Sequence, residues 1–113
     1  MKTLVQLCLG ILLSVAVTAG HAQVPDNAVW IDVRSPFEYA MGHLPQATRI
    51  PLDDIEAGVA ELHLASDTPI YLYCAVGGRA GKAKVRLEAA GYTNVTNAGG
   101  LEDARQLAGE GAP

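Results

Sequence analysis

The stretch from Pro69 to Gly91, PIYLYCAVGGRAGKAKVRLEAAG, constrains the fold most, because it changes from strand-like to helix-like within a few residues. Residues 70–73 form a short run of β-branched, aromatic and aliphatic side chains, which is typical of a buried strand. From Arg79 onward, apolar side chains recur at spacings of three and four residues, and this spacing predicts an amphipathic helix. The stretch therefore predicts a strand, a tight loop and a helix, in that order.

Cys74 lies where the predicted strand meets the loop, directly before four small or apolar residues, Ala75, Val76, Gly77 and Gly78. The amides of such a loop can turn inward and bind an anion. A thiol at the N-terminus of a helix is also a common position for a stabilised thiolate. Because a helix terminus contributes only about 0.3–1 kcal/mol, we expect loop N–H groups and the guanidinium of Arg79 to supply the rest.

The alternative is that Cys74 is an inert buried residue, which is the commoner role of a free cysteine. The glycines of the loop and the arginine that follows them favour a reactive thiol instead. Cys74 is therefore the candidate catalytic residue.

A second motif lies earlier in the chain, where residues 28–33 predict the first strand. Ser35 and Glu38 have the spacing of a capping box, which predicts a short helix. Asp32 and Arg34 lie at the end of this strand, and ligand sites of parallel sheets lie at the carboxyl ends of strands. Both are candidates for supporting the Cys74 site, and the alternative is a structural role, with Arg34 paired to Glu38 for about 0.2–0.5 kcal/mol.

The remaining elements complete an alternating pattern of strands and helices. Residues 47–50 predict a short strand, a second helix begins near Asp53, and residues 94–97 predict a last strand. A final helix is expected from about Leu101 to Ala108, and residues 109–113 are expected to be a disordered tail. This alternation predicts a three-layer α/β domain with a mainly parallel sheet of four or five strands flanked by helices.

Two of these segments resemble the signature regions of a known family. The loop CAVGGR, residues 74–79, resembles the active-site loop of single-domain rhodaneses, which are thiosulfate and related sulfurtransferases. Residues 30–52, WIDVRSPFEYAMGHLPQATRIPL, are similar to the first signature region of rhodanese domains. The resemblance continues through residues 91–92 and 97–101 and points to small exported rhodaneses of the phage shock protein E type. Leu101 departs from the family pattern, which often has an aromatic residue after the Gly-Gly pair.

The resemblance implies the rhodanese fold and a reaction in which Cys74 carries sulfur as a persulfide. It implies thiosulfate or another sulfane-sulfur donor, a thiol or cyanide acceptor, release of sulfite, and no cofactor. The residues that it implies for substrate binding are Arg79, Ala75, Val76, Gly77 and Gly78.

The length of the loop bears on the type of reaction. Four residues separate Cys74 from Arg79, as in sulfurtransferases, whereas phosphatases and arsenate reductases of this fold have one more. One alternative function is a persulfide carrier or redox-sensing module with little turnover. A phosphatase or arsenate reductase is the less favoured alternative.

The first 22 residues predict a secretory signal peptide, followed by a single domain over residues 23–113. Lys2 precedes an apolar core that is shorter than the about 20 residues of a membrane span. We expect cleavage after Ala22, with cleavage after Ala19 or an uncleaved anchor as alternatives. Cys8 would be removed with this segment, which leaves Cys74 unpaired in a compartment where structural cysteines normally pair.

The charge of the chain limits its partners. A net charge of −4 disfavours nucleic acid and anionic membrane surfaces. An anionic substrate must therefore be attracted locally, by Arg79 and by three cations on the same helix that are otherwise a solvated face, Lys82, Lys84 and Arg86. His43 and His63 are scattered and lack the spacing of metal ligands, so we expect no metal. We expect a periplasmic monomer without stable membrane association.

The signal peptide gives the first testable prediction. The exported protein should begin near Gln23 and remain soluble in the periplasm, because the apolar core is short and no other apolar stretch follows it. Intact-mass spectrometry of the periplasmic fraction measures the first residue directly. Membrane-bound protein that still carries Met1 would contradict the prediction.

Overall fold

The computed structural model of the protein describes residues 24–109, so the predicted signal peptide and residues 110–113 of the predicted tail lie outside the described residues. Strands and helices alternate along this part of the chain. The elements are β1 Val29–Asp32, α1 Pro36–Met41, β2 Thr48–Arg49, a 3-10 turn Leu52–Asp54, α2 Ile55–Ala60, β3 Ile70–Cys74, α3 Gly78–Ala89, β4 Val95–Gly100 and α4 Leu101–Leu107. None of these helices has the length and apolar character needed to cross a membrane.

The four strands form one parallel sheet in the order β2-β1-β3-β4. This arrangement confirms the predicted α/β fold and sheet. Strand β3 is central, because it pairs with β1 on one side and with β4 on the other. Asp32 lies opposite Tyr73 in the register of β1 and β3, so these strands end at the same edge of the sheet. That edge holds the predicted site residues.

Alternating side chains of β3 divide the core into two clusters, one on each face of the sheet. Leu72 and Cys74 belong to the cluster that packs against α2 and α3. Tyr73 belongs to the other cluster, which includes Leu44 from the segment after α1 and Ala104 from α4. Because both faces of the sheet are covered, the domain has the three layers that the sequence predicts.

The main difference from the predicted elements is the length of β4. The sequence predicts a strand that ends at Asn97, whereas β4 continues to Gly100. Gly100 pairs with Cys74 after an irregularity in the pairing between Leu72 and Cys74. The prediction was wrong here because a Gly-Gly pair indicates a turn, while in the structure these residues extend the sheet up to the cysteine.

Leu101, where the family often has an aromatic residue, is accommodated by the second cluster. Its side chain is half-buried and packs against the core residues that surround Trp30 and Tyr73. An aliphatic side chain therefore closes this end of the core, and α4 begins directly at Leu101.

The central strand gives a stability prediction. Leu72 is 0% exposed, so Leu72→Ala should lower the free energy of unfolding by about 2–5 kcal/mol because it leaves a cavity. Leu62→Ala is the matched control, because the same change at a side chain that is 37% exposed should cost less, about 1 kcal/mol. Urea denaturation of the three proteins measures both values. Equal losses in the two variants would contradict the assignment of Leu72 to the core.

Candidate functional site

The centre of the site is the sulfur of Cys74, at the carboxyl end of the central strand. Cys74 is only 1% exposed and has no disulfide partner in the described part of the chain. The backbone N–H of Gly77 donates to its Sγ at 3.0 Å, and that of Ala80 donates at 3.4 Å. A hydrogen bond to a charged acceptor contributes about 1.5–3 kcal/mol. Two donors that converge on one sulfur can therefore hold negative charge there.

Gly77 is the residue whose backbone makes this geometry possible. Its φ of 101° lies in the left-handed region, where a side chain would be strained. The turn directs its N–H toward Sγ, while its carbonyl accepts from the N–H of Gly81 at 2.9 Å and so begins α3. A glycine is thus required between the strand and the helix.

The end of β4 braces the loop from the other side. Asn97 donates from Nδ2 to the carbonyl of Gly77 at 3.0 Å, and its Oδ1 accepts from the N–H of Gly99 at 2.9 Å. A Cβ at Gly100 would overlap the carbonyl of Ala75, so only glycine allows this close approach. The sequence singled out this segment only through the family resemblance, and it did not predict that Asn97 contacts the cysteine loop.

The remaining loop residues form the outer rim of the site. Val76 is 88% exposed, and Ala75 and Gly78 are exposed as well. None of these three residues donates a hydrogen bond to Sγ in the described structure, whereas Ala80, which was not among the predicted site residues, does. The substrate-binding role of the rim residues stays a prediction.

The guanidinium of Arg79 is paired with a carboxylate. Its Nη1 donates to Oε1 of Glu38 at 2.8 Å, and its Nη2 donates to Oε2 at 3.0 Å. Two of the five N–H groups of the guanidinium are thus used, and the others have no partner among residues 24–109. The structure thus gives Arg79 a partner that the sequence did not reveal, and its substrate-binding role stays a prediction.

Glu38 is held from two sides. Its Oε1 also accepts from the N–H of Ser35 at 3.1 Å, while its own N–H donates to Oγ of Ser35 at 3.2 Å, so the predicted capping box is confirmed. The hydrogen bond from Arg79, followed by the one from the Ser35 backbone, lowers the pKa of Glu38 from 4.5 to about 2. The hydrogen bond to Glu38 in turn raises the pKa of Arg79. Both groups are therefore charged at neutral pH.

Asp32 and Arg34 form a second ion pair at the same edge of the sheet. Arg34 donates from Nε and Nη2 to the two carboxylate oxygens of Asp32 at 2.8 and 2.7 Å, and from Nη2 to the carbonyl of Gly42 at 2.7 Å. The alternative pairing of Arg34 with Glu38 was wrong, because each has a different partner. Neither Asp32 nor Arg34 bonds to Cys74, so they shape the segment between β1 and α1 rather than the sulfur's surroundings.

Tyr73 and His43 complete the frame next to this pair. The guanidinium of Arg34 lies 5.5 Å from the centre of the Tyr73 ring, and burial raises the pKa of Tyr73 to about 12. His43 stacks on Tyr39 with ring centroids 3.5 Å apart, and its Nδ1 lies 2.8 Å from the Tyr39 carbonyl. His43 thus braces the turn after α1. Across residues 24–109, no cluster of His, Cys, Asp and Glu side chains could hold a metal ion.

Comparisons with known proteins agree with this geometry. The sequence profile of the rhodanese-like domain family matches residues 18–106. Over 74 residues the chain is 40% identical to thiosulfate sulfurtransferase PspE of Escherichia coli (strain K12), an alignment that covers 66% of this chain and 71% of that protein. A solved structure of a rhodanese with anions from E. coli has a TM-score of 0.65 and 39% identity, over 67% of this chain and 89% of that chain.

Another group of relatives contains a similar segment within a much longer protein. Over 93 residues the chain is 35% identical to the tRNA uridine(34) hydroxylase of Erwinia tasmaniensis, and this alignment covers 77% of the chain. The same alignment covers only 27% of the hydroxylase.

The ion pair of Glu38 and Arg79 gives a pH prediction. Because the pKa of Glu38 is lowered on folding, the stability from this pair is fully present above about pH 4.5 and is lost as the pH falls through about 2. The difference in free energy of unfolding between the wild type and Arg79→Ala should therefore shrink between about pH 5 and pH 2. Urea denaturation over this pH range measures the difference, and carboxyl ¹³C NMR measures the titration. A Glu38 carboxyl that titrates near 4.5 in the wild type would contradict the pairing.

Proposed function

The chain belongs to the rhodanese-like domain family, and on that premise we propose that it moves the sulfane sulfur of thiosulfate through a persulfide on Cys74. The acceptor is a thiol or cyanide, and sulfite is released. The observation that carries the proposal is the convergence of two backbone N–H groups on the sulfur of Cys74. The thiosulfate sulfurtransferase PspE, which is 40% identical over the aligned region, supports thiosulfate as the donor.

In the first step, the Cys74 thiolate attacks the outer sulfur of thiosulfate. A bond forms between the two sulfurs, while the sulfur–sulfur bond of thiosulfate breaks and its electron pair leaves with sulfite. The negative charge moves from Sγ to the terminal sulfur of the persulfide. The N–H groups of Gly77 and Ala80 point at this region of the site, so they stabilise the charge before and after the transfer.

In the second step, a thiolate or cyanide attacks the terminal sulfur of the persulfide. The bond between this sulfur and Sγ breaks, and its electron pair returns to Cys74 as the thiolate. The acceptor leaves as a persulfide or as thiocyanate, so the cycle needs no cofactor or external electron donor. The exposed rim around Val76 leaves the loop open to an acceptor.

Arg79 is the charged group that we assign to the sulfite oxygens. Two of its N–H groups bind Glu38, and the remaining ones can donate to an oxyanion beside the loop. The hydrogen bond from Arg79 to Glu38 raises the pKa of Arg79, so the guanidinium is charged when an anion arrives. Asp32 and Arg34 support the site indirectly, through the segment that carries Glu38.

A persulfide carrier or redox-sensing module is the alternative, because it would use the same cysteine without rapid turnover. The alignment with the tRNA hydroxylase covers only 27% of that protein, so rhodanese-like domains also occur inside larger proteins. Repeated turnover with thiosulfate and cyanide separates the enzyme from the carrier. A phosphatase or arsenate reductase is disfavoured, because the short loop crowds its amides around a single sulfur atom.

The persulfide gives the central functional prediction. Incubation with thiosulfate should add the mass of one sulfur atom to the wild-type protein, and cyanide should remove it. Cys74→Ser, which preserves the size of the side chain, should gain no mass. Intact-mass spectrometry measures each state of the protein.

The length of the cysteine loop gives a control for the persulfide experiment. The wild type should not hydrolyse aryl phosphates, and one glycine inserted after Gly77 should impair sulfur transfer because it moves the Gly77 and Ala80 amides relative to Sγ. If the wild type hydrolysed aryl phosphates faster than it transfers sulfur, the proposed function would be wrong.

Arg79 gives a separate kinetic prediction. Arg79→Ala should lower kcat/KM for thiosulfate by roughly 10- to 150-fold, since a lost charged hydrogen-bond partner costs about 1.5–3 kcal/mol. Arg79→Lys should restore only part of this loss, because an ammonium group lacks the planar fork of the guanidinium. Steady-state kinetics and thermal melting are measured on the same samples. An unchanged kcat/KM with a lowered Tm would show that Arg79 has a structural role only.

A further inference from the structure

Two arginines at the catalytic edge of the sheet, Arg34 and Arg79, are neutralised by carboxylates. Arg34 binds Asp32 through two hydrogen bonds, and Arg79 binds Glu38 through two more. The net charge of these two pairs is zero. Arg49, which ends β2 at the same edge, donates from Nη1 to the carbonyl of Arg34 at 3.2 Å and has no carboxylate partner among residues 24–109. The pairing of Arg79 with a carboxylate is unexpected for a site that receives an anion.

The two ion pairs differ in solvent exposure. Asp32 is completely buried and Arg34 nearly so, whereas the side chains of Arg79 and Glu38 are 38% and 31% exposed. A buried pair cannot lose one partner without a large penalty. The half-exposed pair of Glu38 and Arg79 is therefore the one that can influence an incoming anion.

Glu38 is also fixed in place by its own helix. Its carboxylate accepts from the N–H of Ser35 at the same time as it binds the two Nη atoms of Arg79. If Glu38 turned away from Arg79, the capping box at the start of α1 would be broken as well. A bidentate arginine–carboxylate contact is already specific in geometry, so Glu38 holds the guanidinium in one orientation and keeps a negative charge beside it.

We propose that Glu38 weakens the binding of divalent oxyanions at the Cys74 loop by holding and neutralising Arg79. The role of thiosulfate in this proposal rests on the proposed function, whereas the test with sulfate does not depend on it. An anion that reaches the loop meets a guanidinium with part of its hydrogen-bonding capacity occupied and a carboxylate next to it. Thiosulfate gains binding from its outer sulfur at the loop amides, whereas sulfate and hydrogen phosphate lack such a sulfur. Glu38 therefore lowers the affinity of all three anions, and only thiosulfate has the outer sulfur that compensates for this loss.

Glu38→Gln is the direct test. Glutamine keeps the length of the side chain and an oxygen that can accept from Ser35 and Arg79, but it removes the negative charge. Loss of this charge should tighten sulfate binding by about three- to tenfold, because a divalent anion no longer faces a carboxylate. The KM for thiosulfate should fall in the same direction, and inhibition by sulfate should become stronger. Isothermal titration with sulfate and steady-state kinetics measure these effects.

Glu88→Gln is the matched control. Glu88 is an exposed carboxylate on α3 that pairs with Lys84, so its substitution removes the same charge far along the helix from the loop. It should change sulfate binding by less than about twofold. A comparable effect in both variants would show a general charge effect and would overturn the role of Glu38.

Two further variants test the role of Glu38 by sulfate binding alone, without measuring turnover. Glu38→Asp retains the charge but cannot span the same two-point contact, so its affinity for sulfate should lie between those of the wild type and Glu38→Gln. In the double variant Glu38→Gln with Arg79→Ala, the gain in affinity should disappear, because the effect acts through Arg79.

The outcomes separate this inference from the proposed function. Sulfate binding that is unchanged or weaker in a folded Glu38→Gln protein would overturn the inference, even if the wild type turns over thiosulfate. A wild type that forms no persulfide would overturn the proposed function, while the sulfate measurement would still test the role of Glu38.

Discussion

Two backbone N–H groups, those of Gly77 and Ala80, point at the sulfur of Cys74, and much of the surrounding structure holds them in that position. The central strand delivers the cysteine to the edge of the sheet, and the left-handed backbone at Gly77 turns the chain back over it. Asn97 binds the Gly77 carbonyl from the neighbouring strand. The loop is therefore fixed by the sheet and by the helix that follows it, and the donors need no rearrangement when charge develops on the sulfur.

The electrostatics of the site are local and balanced. The chain carries a net charge of −4, so attraction of an anion cannot come from the protein as a whole. Within the site, Asp32 neutralises Arg34 and Glu38 neutralises Arg79. The loop amides add fixed positive dipoles that point at the sulfur of Cys74.

Local patterns predicted much of this structure. The change from strand to helix around Cys74, the capping box of Ser35 and Glu38, and the alternation of elements all depend on residues close in sequence. The contact between Glu38 and Arg79 spans 41 residues, and the one between Asn97 and Gly77 spans 20. Glu38 already had a local partner in its capping box, so no unsatisfied group indicated a second one. The continuation of β4 to Gly100 was hidden because its glycines also suit a turn.

The most direct test of the central claim is the response of individual amides when Cys74 is converted to its persulfide. In ¹H–¹⁵N NMR spectra recorded before and after addition of thiosulfate, the account predicts that the amides of Gly77 and Ala80 show the largest changes in chemical shift. The wild-type changes should be reversed by cyanide and absent in Cys74→Ser. If a sulfur atom is added to Cys74 while the chemical shifts of these two amides stay unchanged, the loop amides do not stabilise the transferred sulfur. That result would contradict the role given to Gly77 and Ala80.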